Sequence, residues 1–245
     1  MTAYFTTSWD DGHPLDRKLA DLMVRHRIAA TFYCPRHNRE GLPAMDAQAL
    51  RALDGAFEIG SHTLEHAYAD SMPARLWQRQ VVDGKAWLED TLGHAVEGFC
   101  YPGGKAGVSA RETVLAAGFA YARTGENFRA EIGADPWLMP ASLQFYPHSR
   151  QVLLGNFVRR GNWRQRYALT AACLAERDFE RRLLAALKAC RGQNAVFHLW
   201  GHSWELERHG LWPSLDRFLA VVAECVPFEA RLTNAQVLRA KKLFA

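Results

Sequence analysis

The chain has 245 residues, about half of them hydrophobic, with a net charge of +4. That length supports one large core, and the basic residues are spread along helices rather than alternating with stacking aromatics, so nucleic acid is not an expected partner. No run approaches the roughly twenty apolar residues needed to span a bilayer, and five cysteines without a Cys-x-x-Cys make no disulfide framework.

Taken in chain order, strand-like and helical runs alternate as parallel βαβ units do. Tyr4 to Trp9 reads as a buried strand ending in Asp10-Asp11-Gly12, two adjacent carboxylates and a turn glycine. Leu15, Leu19, Leu22 and Met23 have helical spacing through His26, and Ala29 to Cys34 forms a second strand that Pro35 stops. Asp46 caps a short helix to Leu53, and the strand Phe57 to Gly60 then delivers Ser61-His62-Thr63-Leu64-Glu65-His66. Two imidazoles four residues apart project from one face of a helical turn and can grip one ion.

Pro73 opens a long helix to about Leu92. Val96 to Tyr101 is the next strand, running into Pro102-Gly103-Gly104, followed by helix Ser109 to Ala117 and strand Phe119 to Arg123. Gly125 to Pro147, with Trp137, is irregular and is expected over the barrel mouth, where its aromatics can plug the core or stack on a sugar ring. Helix Phe179 to Cys190, strand Ala195 to Trp200, helix Pro213 to Glu224 and a final strand and helix complete the chain, with no repeat of fixed period. Between them, Arg159-Arg160-Gly161-Asn162-Trp163-Arg164-Gln165-Arg166-Tyr167 groups four guanidinium groups around a tryptophan. Such a group can clamp a diphosphate or an acidic sugar, or serve as a solvated or dimer-forming loop.

Asp10-Asp11-Gly12, Ser61-His62-Thr63-x-x-His66, Tyr101-Pro102-Gly103-Gly104 and the late Phe197-His198-Leu199-Trp200-Gly201-His202-Ser203-Trp204-Glu205 resemble, in order, motifs of the polysaccharide deacetylase family of carbohydrate esterases. The resemblance spans about residues 4 to 205. It implies a single-domain α/β fold, an irregular (β/α) barrel of about seven strands. It also implies a divalent transition metal on Asp11, His62 and His66, with Asp10 as general base and a late histidine as general acid. Zinc suits that donor set best, and cobalt, nickel or iron can occupy the same ligands. His202 is preferred over His198 as the acid, because it begins where the apolar strand stops. Tyr101, Pro102, Gly103, Trp137 and Trp204 are expected around the substrate, with the Gly103 N–H as an oxyanion donor.

Two positions depart from the family pattern. Cys100 stands where an arginine often orients the catalytic aspartate, and Arg123 is the candidate replacement. Gly103 stands where many members carry an aromatic wall. The expected activity is removal of an acetyl or formyl group from an amino sugar. Hydrolysis of a non-sugar amide or cyclic imide, and non-catalytic carbohydrate binding, are the competing readings. With the first strand starting almost at Met1 and no leader-like segment ahead of it, a cytoplasmic protein acting on a small or carrier-linked amino sugar is expected, as a monomer or a homo-oligomer.

Overall fold

The computed structural model describes residues 3–190 and 195–242. Seven parallel strands form one sheet in the order β5-β4-β3-β2-β1-β7-β6, curved into a half-barrel with helices outside. They are β1 (Tyr4–Trp9), β2 (Thr31–Cys34), β3 (Glu58–Ser61), β4 (Gly98–Cys100), β5 (Tyr121–Arg123), β6 (Leu143–Gln144) and β7 (Val196–Gly201). The segment leading into β6 spans the gap between the sheet edges. Met139 bridges to Arg123 of β5, and Leu143 pairs with Leu199 of β7.

Alternation along β1 sorts the residues into two environments. Phe5 and Trp9 face the helices, where Phe5 packs on Phe197 and Phe218, and Trp9 on Phe145. Thr6, Ser8 and Asp10 take the opposite parity and line the interior, which is polar. Thr6 donates to Asn234 (2.8 Å), Asn234 to the Tyr33 hydroxyl (2.8 Å), Tyr33 to Tyr121 (3.1 Å) and Tyr121 to Glu58 (2.6 Å). This relay satisfies the interior polar groups at the amino-terminal end, and the opposite, carboxyl-terminal end holds the motif residues.

The expected elements appear; the two-residue β6 and the short helix Ser203–Arg208 are additions, and there are two further differences. Residues 150–175 form a helical hairpin, α5 (Arg150–Arg160) and α6 (Trp163–Ala175), in place of a loop around the arginine cluster. Among the described residues no final strand forms after α9 (Trp212–Cys225): Phe228–Ala230 is one tight turn, Arg231 makes a single bridge to Phe5, and α10 (Asn234–Lys242) follows. Among the described residues no helix is long and apolar enough to cross a membrane.

Candidate active site

Because the strands are parallel, their carboxyl ends share one rim. Asp10 and Asp11 follow β1, His62 follows β3, Tyr101 to Gly103 follow β4, Arg123 ends β5 and His202 follows β7. The backbone is constrained here: Asp11, Thr63 and His66 all have positive φ, at 77°, 65° and 53°. Non-glycine residues in that region are held by their surroundings. His62 and His66 therefore converge through a left-handed turn and not on a helical face as their spacing predicts. The Thr63 hydroxyl accepts the Ala67 N–H (2.9 Å) and closes that turn.

One ligand atom from each of Asp11, His62 and His66 lies within 4.8 Å of the others, and all three residues are buried. His66 Nε2 is 3.2 Å and His62 Nε2 3.7 Å from Asp11 Oδ1, an oxygen with no hydrogen-bond partner. His62 Nδ1 donates to the Cys100 carbonyl (2.8 Å), which leaves Nε2 as the free lone pair. Burial drives the His62 pKa down to about 4, keeping it neutral as a ligand must be. The other Asp11 oxygen accepts from Trp204 Nε1 (2.8 Å). A buried carboxylate oxygen without a donor, facing two imidazole nitrogens, fits a divalent cation.

Asp10 lies beside this group, with an oxygen within 4.8 Å of ligand atoms of His62 and Cys100, and forms a buried hydrogen-bonded ion pair with the Arg123 guanidinium. Burial alone would raise the Asp10 pKa. The charge of Arg123, with His62 and His202, outweighs it and holds the carboxyl below its usual range. Arg123 is thus where the Cys100 position lacks an arginine; the Cys100 thiol is itself 3.8 Å from Asp10.

The two late histidines differ sharply. His198 is enclosed in the barrel, with Nδ1 on the Pro140 carbonyl (3.2 Å) and Nε2 on the Ser8 hydroxyl (2.8 Å), and burial pushes its pKa down to about 3. His202 Nδ1 donates to Glu205 (2.7 Å), and its Nε2 stands 3.9 Å from Asp11. Burial opposes its protonation, yet the Glu205 hydrogen bond and the charges of Asp11 and Asp10 raise its pKa to about 9.

The remaining expected contacts divide. Trp204 reaches the site, and Gly103 is exposed at its rim next to buried Pro102. Tyr101 and Trp137 do not reach it. The Tyr101 ring is fully buried against Phe99 and its hydroxyl donates to the Trp137 carbonyl. The Trp137 indole donates to the Phe119 carbonyl and lies against Arg111. Tyr68 escaped the sequence reading. Its ring stands 5.4 Å from His66, and a Cβ on Gly103 would come within 2.6 Å of it. Tyr68 thus stands over Gly103, whose positive φ (65°) and close contact with the ring both favour glycine.

Residues 3–122, which carry Asp10, Asp11, His62, His66 and Gly103, match the family model described as polysaccharide deacetylase. The chain belongs to the polysaccharide deacetylase family. Solved structures of similar fold include a candidate polysaccharide deacetylase from Mycobacterium smegmatis, 16% identical over 98% of this chain and 91% of that one, TM-score 0.68. A family 4 acetyl xylan esterase from Clostridium thermocellum, in complex with a cobalt ion, is 15% identical over 97% and 91%, TM-score 0.57. A family 4 carbohydrate esterase from Streptomyces lividans, in complex with acetate, is 13% identical over 90% and 89%, TM-score 0.54. No curated protein matches the chain.

Proposed function

We propose that this polysaccharide deacetylase family member is a metal-dependent amide hydrolase that removes an N-acyl group from an amino sugar. The observation that carries the reading is the division of labour between two adjacent carboxylates. Asp11 faces both His62 and His66, while Asp10, which approaches only His62 of the two imidazoles, is paired with Arg123. A divalent ion held by Asp11, His62 and His66 would supply Lewis acidity and a lowered water pKa, from about 16 to around 7.

The chain's own groups account for the proton traffic. Asp10, kept ionised by Arg123, accepts the proton of the attacking water. His202, kept protonated by Glu205, delivers a proton to the departing amine, which is too basic to leave as an anion. Trp204 fixes the orientation of Asp11, and Tyr68 walls the pocket beside His66. His198 serves the barrel interior and does not touch the reacting atoms.

The cobalt-bound esterase of similar fold supports a transition metal, and the two imidazoles and one carboxylate favour zinc. All five cysteines are unpaired, four of them buried, in keeping with a reducing compartment and a small or carrier-linked sugar substrate. The test is release of acetate or formate from a panel of N-acetyl and N-formyl amino sugars, with and without a chelator. Release that stops on chelation and returns with Zn²⁺ or Co²⁺ is the expected result. Turnover of linear amides or cyclic imides alone would replace the sugar with that substrate class, and metal-independent turnover would overturn the reading.

A further inference from the structure

A cavity of about 150 Å³ adjoins the catalytic group, with Gly103 and Trp200 in its wall. The Trp200 ring stands 5.6 Å from His202 and 4.9 Å from the Arg123 guanidinium, so one indole separates the cavity from the reacting centre. The polar side chains lining it are Asn127, Gln144, Asn156, Arg160 and Arg166, with no carboxylate among the described residues.

Arg166 is fully buried and has no ion-pair partner among the described residues. It donates instead to the main-chain oxygens of Asn127 (2.8 Å), Asn156 (3.0 Å), Phe157 (2.9 Å) and Gly161 (2.8 Å). These bonds take up four of its five N–H groups without neutralising its charge, and burial draws its pKa down. Arg160 makes a single 3.3 Å bond, to the Gly104 carbonyl, and its other N–H groups have no protein acceptor among the described residues.

The asparagine amides are turned by their partners. Asn127 Oδ1 accepts from Trp200 Nε1 (2.7 Å) and Asn156 Oδ1 from Arg159 (3.0 Å), which leaves both Nδ2 groups as donors without protein acceptors among the described residues. The one acid nearby in the chain, Glu126, is committed to Arg129 (2.8 Å) and Asn162 (3.0 Å). A buried guanidinium with no ion-pair contact among the described residues, unspent donors and the absence of a lining carboxylate together define the ligand chemistry.

We propose that this cavity is a subsite for an oxyanion, a carboxylate or a phosphate monoester, carried by the sugar whose amide is cleaved. The proposal rests on the deacylase reading for its position in the reaction, while anion binding itself can be measured without turnover. Gln144 connects the two regions: it lines the cavity and donates to Glu205 (3.3 Å), the residue that holds His202. An anion seated there fixes the sugar relative to the groups that serve the amide, and the arginine cluster legible in the sequence finds its use.

The experiment has two readouts on the zinc-loaded protein. In the first, inorganic phosphate is titrated while the side-chain amide signals of Asn127 and Asn156 are followed by NMR, in wild type and Arg160→Gln. Saturable shifts in wild type that are lost in the variant are expected; no shifts, or equal shifts in both, would overturn the subsite. In the second, kcat/KM is compared for N-acetylglucosamine, its 6-phosphate and N-acetylmuramic acid. Wild type should favour at least one charged sugar by about 10- to 100-fold through KM, the worth of one charge-assisted hydrogen bond. Arg160→Gln should lose that preference and Arg164→Gln, outside the cavity, should keep it. A wild-type enzyme indifferent to charge, or a preference that survives Arg160→Gln, would contradict the proposal. If neither these sugars nor the wider N-acetyl and N-formyl panel is cleaved, the deacylase reading fails and the phosphate titration alone decides the subsite.

Discussion

His202 and Glu205 show how three residues of spacing set a proton inventory. The imidazole is buried enough that it would be neutral at neutral pH, but the carboxylate at 2.7 Å and the negative charges of Asp11 and Asp10 hold its pKa near 9. A general acid must carry its proton, so activity is expected to fall on the basic side as His202 loses it. Glu205→Gln removes the largest stabilising partner of the imidazolium, so deprotonation, and with it the basic limb of the kcat profile, moves to lower pH. An unchanged basic limb in pH–rate measurements would show that His202 is not the acid. At this scale the sequence was informative where chemistry depends on residue type and order: the paired carboxylates, the two imidazoles and the late His-Ser-Trp-Glu. It offered Arg123 as the candidate partner of Asp10 but could not show the contact, since 113 residues separate them and only the barrel brings them together. Nor could it place Tyr68, whose ring matters because Gly103 makes room for it.

Elements position these residues through close backbone approach. Gly84, in the middle of α3 (Ala74–Leu92), packs directly on the turn between the two imidazole ligands; a Cβ there would lie 2.7 Å from the Thr63 carbonyl carbon and the Leu64 nitrogen. Backbone cannot yield as a flexible side chain does, so Gly84→Ala should cost about 1–3 kcal/mol of stability. It should also weaken metal binding by displacing His62 relative to His66. Thermal unfolding of metal-free protein and zinc titration of both proteins check the two effects. Unaltered zinc affinity would mean the turn is fixed by other contacts. The strands β1, β2 and β7 were readable because each is a short run rich in aromatic and β-branched residues closed by a polar or turn residue. The α5–α6 hairpin was not. Its faces mix arginines with exposed Leu154, Val158, Trp163 and Tyr167, so no apolar stripe distinguishes them, and the Gly161-Asn162 turn reads as loop. β6 escaped for a different reason: two residues cannot show a period.

Across the whole molecule, the Asp10–Arg123 pair ties β1 to β5, which lie four strands apart in the sheet. Burying both charges is tolerable only because each satisfies the other. Arg123→Ala should therefore destabilise the protein by about 3–5 kcal/mol in urea unfolding, the usual cost of leaving a buried charge alone. With Arg123 gone the Asp10 pKa rises, so the acidic limb of the activity profile moves to higher pH. A loss below about 1 kcal/mol, the range of a surface pair, would show that the barrel does not depend on it.

In the proposed mechanism Asp11 holds the metal and Asp10, one residue away, does not. Metal content and kcat of Asp10→Asn, measured on the same preparation beside wild type, separate the two roles. About one divalent metal per chain is expected in both proteins, with kcat lowered by about two to four orders of magnitude in the variant, the range for losing a general base. Metal lost together with activity, or activity retained without Asp10, would contradict the mechanism.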